Sequence, residues 1–281
     1  MQTVSLSWQH SGELAAGLAV VGSALALARD RRLRAAGAFA RETAVIAVLY
    51  GLWQLAGDLS TVNVDGAFRR GRWIARFEHD VFLPSEHGVQ RLILGHPLIV
   101  QGVNLYYDTM HFTMMFVFLI WLFVRHRDRY RPVRQVMAWT TLACLVVQLV
   151  PVSPPRLTSG LGIVDTAMAY GQSVYAEGSP FDQLSAMPSV HVAWAVLVGW
   201  YTWRIAESRW RWLGPAHSAM TVFVVVSTGN HWWLDGIVAT ALLAACAWGV
   251  AGARAAWRLA VQRWGERTTV DHDLVGIAHA E

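Results

Sequence analysis

His231 and Asp235 stand four residues apart in the segment Thr228-Gly-Asn-His231-Trp-Trp-Leu-Asp235, which reads as the opening of an apolar helix. At that spacing two helical side chains share a face, so the carboxylate can accept the proton of one imidazole nitrogen and make the other more basic. An imidazole held this way is suited to act as a nucleophile or a base. His191 opens a second apolar helix in Ala186-Met-Pro-Ser189-Val-His191. Free N–H groups and the positive helix end favour an anion there. A phosphate bound between the two histidines could be attacked from one side while its leaving oxygen is protonated on the other, as phosphoryl transfer requires. A third segment, Pro151-Val-Ser-Pro-Pro-Arg156-Leu, adds a guanidinium able to hold phosphoryl oxygens. Each residue also has a plainer reading. The histidines could be interfacial residues, Arg156 a headgroup anchor, and Ser189 and Asn230 helix caps, although capping and phosphate contact are compatible. The set carries the functional reading, because ionisable residues at membrane spans are expensive and these converge on one face.

The elements that must position these residues are transmembrane helices. Of the 281 residues 54% are apolar and 15% charged, a balance that leaves a soluble domain short of polar surface. Apolar runs near the ~20 residues that cross ~30 Å of hydrocarbon recur at 11–28, 42–60, 105–124, 133–151, 187–204, 214–229 and 233–253. The first carries Glu13 and reads either as a span or as a signal peptide, although no Lys or Arg precedes it as a cleavable leader requires. The expected fold is therefore an all-α integral membrane bundle of about six to seven spans. All 23 basic residues are Arg. Those at 29–41, 125–134, 204–211 and 254–267 fall on one side of such a bundle, while Arg69, Arg70, Arg72, Arg76, Arg91 and Arg156 fall on the other. Cytoplasmic loops collect positive charge, so the amino terminus is expected outside, the carboxyl terminus inside, and all three motifs on the extracytoplasmic face. The all-arginine complement suggests a GC-rich bacterial genome, which makes the expected location a bacterial plasma membrane.

Four regions follow: two helices in 1–60, an outer loop in 61–104, a catalytic membrane core in 105–253 and a cytoplasmic tail in 254–281. Within the outer loop, residues 71–83 mix Trp73, Ile74, Phe77, Val81 and Phe82 with Arg72, Arg76, Glu78 and Asp80, a spacing that predicts an amphipathic interfacial helix. A second outer segment, 151–186, is rich in Pro and Gly and predicts irregular backbone over the helix ends. The polar end from 265 onward reads as solvated and partly disordered. Cys144 and Cys246 lie in apolar spans as small buried residues. Trp73, Trp121, Trp210, Trp212, Trp232 and Trp233 sit at span ends and fit an aromatic belt. The net charge of +4 belongs to the anchoring loops, so no nucleic-acid partner is expected.

These segments resemble the type-2 phosphatidic acid phosphatase superfamily, and within it the inositol phosphorylceramide synthase branch. The superfamily pattern is Lys, six residues, Arg-Pro; Pro-Ser-Gly-His; and Ser-Arg, five residues, His, three residues, Asp. Pro188-Ser189-Val190-His191 matches the second part with Val190 for Gly, and His231 with Asp235 matches the end of the third. Val224 and Val225 stand where Ser-Arg is usual, and Leu149 where the Lys is usual. Pro-Pro-Arg, Ala-Met-Pro-Ser with its His, and Gly-Asn-His are similar in wording to the synthase branch, as is Asn104-Leu-Tyr-Tyr-Asp-Thr-Met-His111-Phe. The likeness covers roughly 73–241. It implies that His231 forms a phosphohistidine, that Asp235 orients it, that His191 is the general acid and later base, and that Arg156 and Ser189 hold phosphoryl oxygens. Arg69, Arg70, Arg72, Arg76 and Arg91 are candidates for the missing basic charge.

His111 reads either as a pocket residue or as packing beside Tyr106 or Tyr107, and Tyr107 and Asn230 join the candidate substrate contacts. His79, Asp80, Glu86, His87 and His96 form a loop group that could be read as a metal site, but it lacks the ligand spacing of a known metal class. No cofactor is expected, since a His nucleophile and an Arg cradle supply the attack and the charge stabilisation. The expected partners are a lipid-phosphate substrate, a lipid or water acceptor, and the bilayer. The leading expectation is transfer of a phosphorylated headgroup between lipids, with inositol phosphate as one candidate headgroup. Hydrolysis of a lipid phosphate or polyprenyl pyrophosphate at the same site is the alternative. A transporter with a proton relay and a scaffold with a decayed site are the non-enzymatic readings.

Overall fold

The computed structural model describes residues 7–60, 64–172 and 183–278. Helices α1 (Trp8–Ala26) and α2 (Arg31–Ser60) form an antiparallel hairpin. Helices α3 (Val64–Asp80) and α4 (Glu86–Leu94) follow, then α5 (Pro97–Arg125) and α6 (Arg127–Gln148). A short 3-10 turn at Pro155–Leu157 and a single-turn helix α7 (Thr166–Ala169) lead to α8 (Val190–Ile205), α9 (Leu213–Ser227) and α10 (Trp233–Ala278). The described residues contain no strand.

Each of the seven apolar runs falls on one of these helices. Among the described residues three segments are long and apolar enough to cross a membrane: Arg31–Leu52, Pro97–Arg125 and Trp233–Gln262. Helices α8 and α9 have 16 and 15 residues, which at 1.5 Å per residue gives them only ~24 and ~22 Å. Helix α5 starts at Pro97, well before the apolar run at 105, because a proline at the first helical position gives up an N–H that has no helical partner. Helix α10 continues past 253 to Ala278, and so through the stretch from 265 onward whose composition reads as solvated and partly disordered. No proline follows Pro215 in the chain, so nothing in its backbone chemistry stops that helix.

Lipid tails are as apolar as leucine, so helices in a bilayer associate through close packing and interhelical hydrogen bonds. Both are present. A Cβ on Gly199 would lie 3.1 Å from the Gly214 carbonyl oxygen and 2.0 Å from Ser218 Oγ, so α8 and α9 touch at a point only glycine allows. Ser218 Oγ donates to the Ala195 carbonyl at 2.7 Å, and Trp194 Nε1 donates to Thr141 Oγ1 at 2.9 Å. Leu122, Val133, Leu197 and Leu243 bring α5, α6, α8 and α10 into one core. The α1–α2 hairpin joins it through Glu42, which accepts from Tyr130 and from Arg134 on α6. Cys144 packs against Ala193 and Ala239, and both cysteines are free thiols.

Helix α3 is amphipathic, but its buried face carries Ala67, Ile74 and Glu78 and packs on the protein near Trp232, while Trp73 and Phe77 stack on the exposed side. Trp232 itself is 1% exposed and gives its indole N–H to the Ser153 carbonyl at 2.9 Å. It is therefore a buried brace and no part of an aromatic belt. Its indole finds an acceptor inside the protein, which removes the reason for a tryptophan to sit at the wet interface.

Candidate active site

Two helix starts and one turn bring the motif residues together. Ser189 is the N-cap of α8, and its Oγ accepts from the Val192 N–H at 3.3 Å. Its own N–H donates to the Asp235 carbonyl at 3.2 Å, which ties the start of α8 to the first turn of α10. Between α9 and α10 the chain reverses at Gly229, whose φ of +69° is a left-handed conformation that glycine adopts without a Cβ penalty. The N–H groups of Asn230 and His231 both donate to the Val225 carbonyl, closing the turn and aiming His231 inward.

His231 is 5% exposed and Asp235 is fully buried. The Nδ1 of His231 lies 2.7 Å from the Ala186 carbonyl oxygen and 3.2 Å from Asp235 Oδ2. Both neighbours are acceptors, so Nδ1 carries the hydrogen and Nε2 keeps the lone pair. Asp235 also accepts from the Trp232 N–H at 2.9 Å, the reach of a third-position helix acid back to the cap residue. The His191 and His231 ring centroids are 5.6 Å apart. His191 also stacks on Tyr107 at 4.5 Å and meets His111 at 4.1 Å. The Nδ1 of His111 faces the Tyr107 carbonyl at 3.2 Å. His191 thus neighbours both of the other imidazoles, and the buried Tyr107 stacks on its ring.

Arg156 belongs to the same end of the bundle. Its backbone N–H donates to the Gly229 carbonyl at 2.9 Å, its Nε donates to Asn230 Oδ1 at 2.8 Å, and its Nη1 pairs with Asp165 Oδ2 at 3.0 Å. The amide of Asn230 in turn donates to Thr228 Oγ1 at 2.9 Å. In this arrangement Asn230 holds the guanidinium in place.

Val224 and Val225, which stand where the superfamily has Ser-Arg, are each 1% exposed and pack with Ile93, Val100 and Val192. Among the described residues Arg70 is the one of the five candidate arginines that reaches the Pro151 loop, with its Nε 2.6 Å from the Pro151 carbonyl oxygen. The loop histidines and acids do not converge. His79 and Asp80 meet at the surface, Glu86 is buried, and among the described residues no group of three or more His, Cys, Asp or Glu side chains is placed to hold a metal.

Three participants were not legible in the sequence. The Ala186 carbonyl is invisible to side-chain spacing. Asp165 sits in an irregular loop, where its pairing with Arg156 depends on how that loop folds. Glu78 read as part of a polar helix face, yet it is 3% exposed and its Oε1 accepts the Leu234 N–H at 2.6 Å, capping α10 beside Asp235. Burial, then the hydrogen bond and charge of Glu86, push the Glu78 carboxyl up to about 9. Near neutral pH it is a protonated acid that accepts from the Leu234 N–H, which keeps a second negative charge away from Asp235.

A helical membrane bundle that gathers a carboxylate-bound imidazole, a second imidazole and a buried guanidinium at one end has groups suited to chemistry on phosphate esters. The model of the PAP2 superfamily matches residues 72–249, more than half of the chain, and the protein belongs to that superfamily. Its members are phosphatases and phosphotransferases, and the protein is an enzyme of that class. No significant match was found among curated proteins or among solved structures.

Proposed function

We propose that the enzyme transfers a phosphorylated headgroup between membrane lipids through a phosphohistidine on His231. The observation that carries this reading is the fixed tautomer of His231: Nδ1 is held between Ala186 and Asp235, which leaves Nε2 with its lone pair beside His191. In the first step Nε2 attacks phosphorus, the bond from phosphorus to the donor oxygen breaks, and His191 gives that oxygen its proton. In the second step an acceptor alcohol loses its proton to His191 and attacks phosphorus, and the P–N bond breaks to restore His231. Arg156, with Arg70 as the nearest candidate for the missing basic charge, stabilises the phosphoryl oxygens. Tyr107 and His111 set the position of His191, Ser189 and Asn230 position the two helix starts and the guanidinium, and Glu78 holds the first turn of α10.

The synthase-like wording of Pro154-Pro-Arg156, Ala186-Met-Pro-Ser189 and Gly229-Asn-His231 favours transfer, with inositol phosphate as the headgroup to test first. The second reading is hydrolysis of a lipid phosphate or polyprenyl pyrophosphate, in which water replaces the alcohol in the second step. We place the seven helices that carry the apolar runs in a bacterial plasma membrane, with the site at its outer face, on the strength of the arginine distribution. The experiment that separates the two reactions is incubation of the purified protein with phospholipids and polyprenyl phosphates, assaying free phosphate against new phospholipid. New phospholipid without free phosphate supports transfer; free phosphate alone overturns it in favour of hydrolysis.

A further inference from the structure

Away from the histidines, α6 and α10 part to form a groove of about 840 Å³. The two helices run antiparallel, since Cys144 pairs with Ala239 near one end and Arg131 meets Arg254 and Arg258 near the other. Along α10 the groove passes from Cys246 to Arg254, Trp257 and Arg258, and along α6 from Trp139 back to Arg131. Eight residues separate Cys246 from Arg254 and eight separate Trp139 from Arg131, so each wall runs ~12 Å from an apolar end to a basic end. The site end of α10 begins at Trp233, and the 21 residues to Arg254 cover ~32 Å, close to the ~30 Å of a hydrocarbon core. The basic mouth of the groove therefore lies one bilayer thickness from the histidines.

Anchoring arginines need no groove, and several on this side are already engaged. Arg134 pairs with Glu42, and Arg129 pairs with Asp128 at 3.1 Å. Arg131, Arg254 and Arg258 differ, because among the described residues none of the three has an ion pair or a hydrogen bond and all three line one cavity. Trp139 and Trp257, 58% and 72% exposed, flank the trough. An apolar trough that ends in three uncompensated guanidiniums matches a molecule with a long apolar part and a compact anionic head. Its volume lies in the range of ligand pockets.

We propose that this groove binds one anionic glycerophospholipid, with an acyl chain along the trough between Trp139 and Cys246 and the headgroup phosphate between Arg131, Arg254 and Arg258. A zwitterionic lipid fills the trough equally well but leaves the positive charge unbalanced, so the discrimination resides in the head. The site is independent of the catalytic assignment, since it uses none of the same residues.

The test is native mass spectrometry of the full-length protein, purified in neutral detergent and equilibrated with equimolar phosphatidylglycerol and phosphatidylcholine. The wild type should retain phosphatidylglycerol over phosphatidylcholine by on the order of tenfold or more, given three guanidinium contacts. The triple variant Arg131→Gln/Arg254→Gln/Arg258→Gln should lose that preference. Arg29→Gln/Arg31→Gln/Arg32→Gln removes the same charge from the α1–α2 turn and should keep it. Gly249→Trp serves if the triple variant fails to fold: a Cβ there meets nothing within 4 Å, so the indole has room to fill the groove and should expel the lipid with all three arginines intact. Equal retention of both lipids by the wild type, equal loss in both triple variants, or wild-type retention by Gly249→Trp would each overturn the site. So would a dimer that forms without lipid and is abolished by Gly249→Trp, since a second copy would then be the occupant.

Discussion

The Nδ1 of His231 is closer to the backbone carbonyl of Ala186, at 2.7 Å, than to the carboxylate of Asp235, at 3.2 Å. The imidazole is therefore oriented by two acceptors from separate segments, one of which no side-chain substitution removes.

This division sets the expected cost of losing the carboxylate. In a serine-protease triad, replacing the aspartate by asparagine lowers kcat by ~10⁴ because the wrong tautomer results. Here the Ala186 carbonyl still demands a proton on Nδ1, so Asp235→Asn should cost only about 10- to 100-fold through lost charge stabilisation. His231→Ala should abolish both turnover and a trapped phosphoenzyme. A loss near 10⁴ in Asp235→Asn would mean that Ala186 does not hold the tautomer.

His191 is assigned the proton transfer to the leaving oxygen. His191→Ala should reduce turnover of a natural lipid by on the order of 10² to 10⁴, the scale of general acid catalysis, and reduce turnover of a nitrophenyl phosphoester much less. Parallel rate measurements on the two substrates check this. If His191→Ala removes the phosphoenzyme while the activated ester rescues His231→Ala, the two roles are reversed.

Glu78 predicts a pH dependence of stability. Its ordinary value is 4.5 and its folded value is about 9, so between them the folded chain keeps a proton that the unfolded chain has released. Its contribution is complete below about 4.5 and is lost as the pH rises through about 9. The titratable groups facing it are Glu86 from α4 and Asp235 from α10. Glu78→Gln keeps an acceptor for the Leu234 N–H without titrating. The thermal midpoint should fall more steeply between pH 6 and pH 9 in the wild type than in Glu78→Gln, and parallel curves would refute the proton retained on Glu78.

Gly229→Ala is expected to damage the site through the backbone. The residue has a φ of +69°, and a Cβ there would lie 2.8 Å from Ile163 Cγ2 and 3.2 Å from Arg156 Cβ. The left-handed conformation alone costs a non-glycine residue about 1–2 kcal/mol, and the contacts press on the segment that holds Arg156. A lowered thermal midpoint together with a lowered kcat is expected, whereas full activity in a stable variant would detach this turn from the site.

The proposed orientation in the membrane rests on the arginine distribution and can be tested by labelling. Ser159 is exposed in the loop that follows Arg156. In a background without Cys144 and Cys246, Ser159→Cys should react with an impermeant thiol reagent added to intact cells. Labelling only after permeabilisation would invert the topology.

The spacing of His231 and Asp235, the serine that caps α8 and the seven apolar runs were all legible in the sequence, because each depends on residues within one or two turns of a helix, where geometry follows from chain connectivity. The Ala186 carbonyl on His231, the Glu78 carboxyl on Leu234 and the Asp165 carboxylate on Arg156 were not, because a buried donor takes whatever acceptor the packing delivers. The contact between Glu78 and Leu234 joins positions 156 residues apart. Trp232 illustrates the same limit: a tryptophan at a span end is interfacial or buried according to whether a remote carbonyl is there to take its N–H, and only the folded chain places Ser153 within reach.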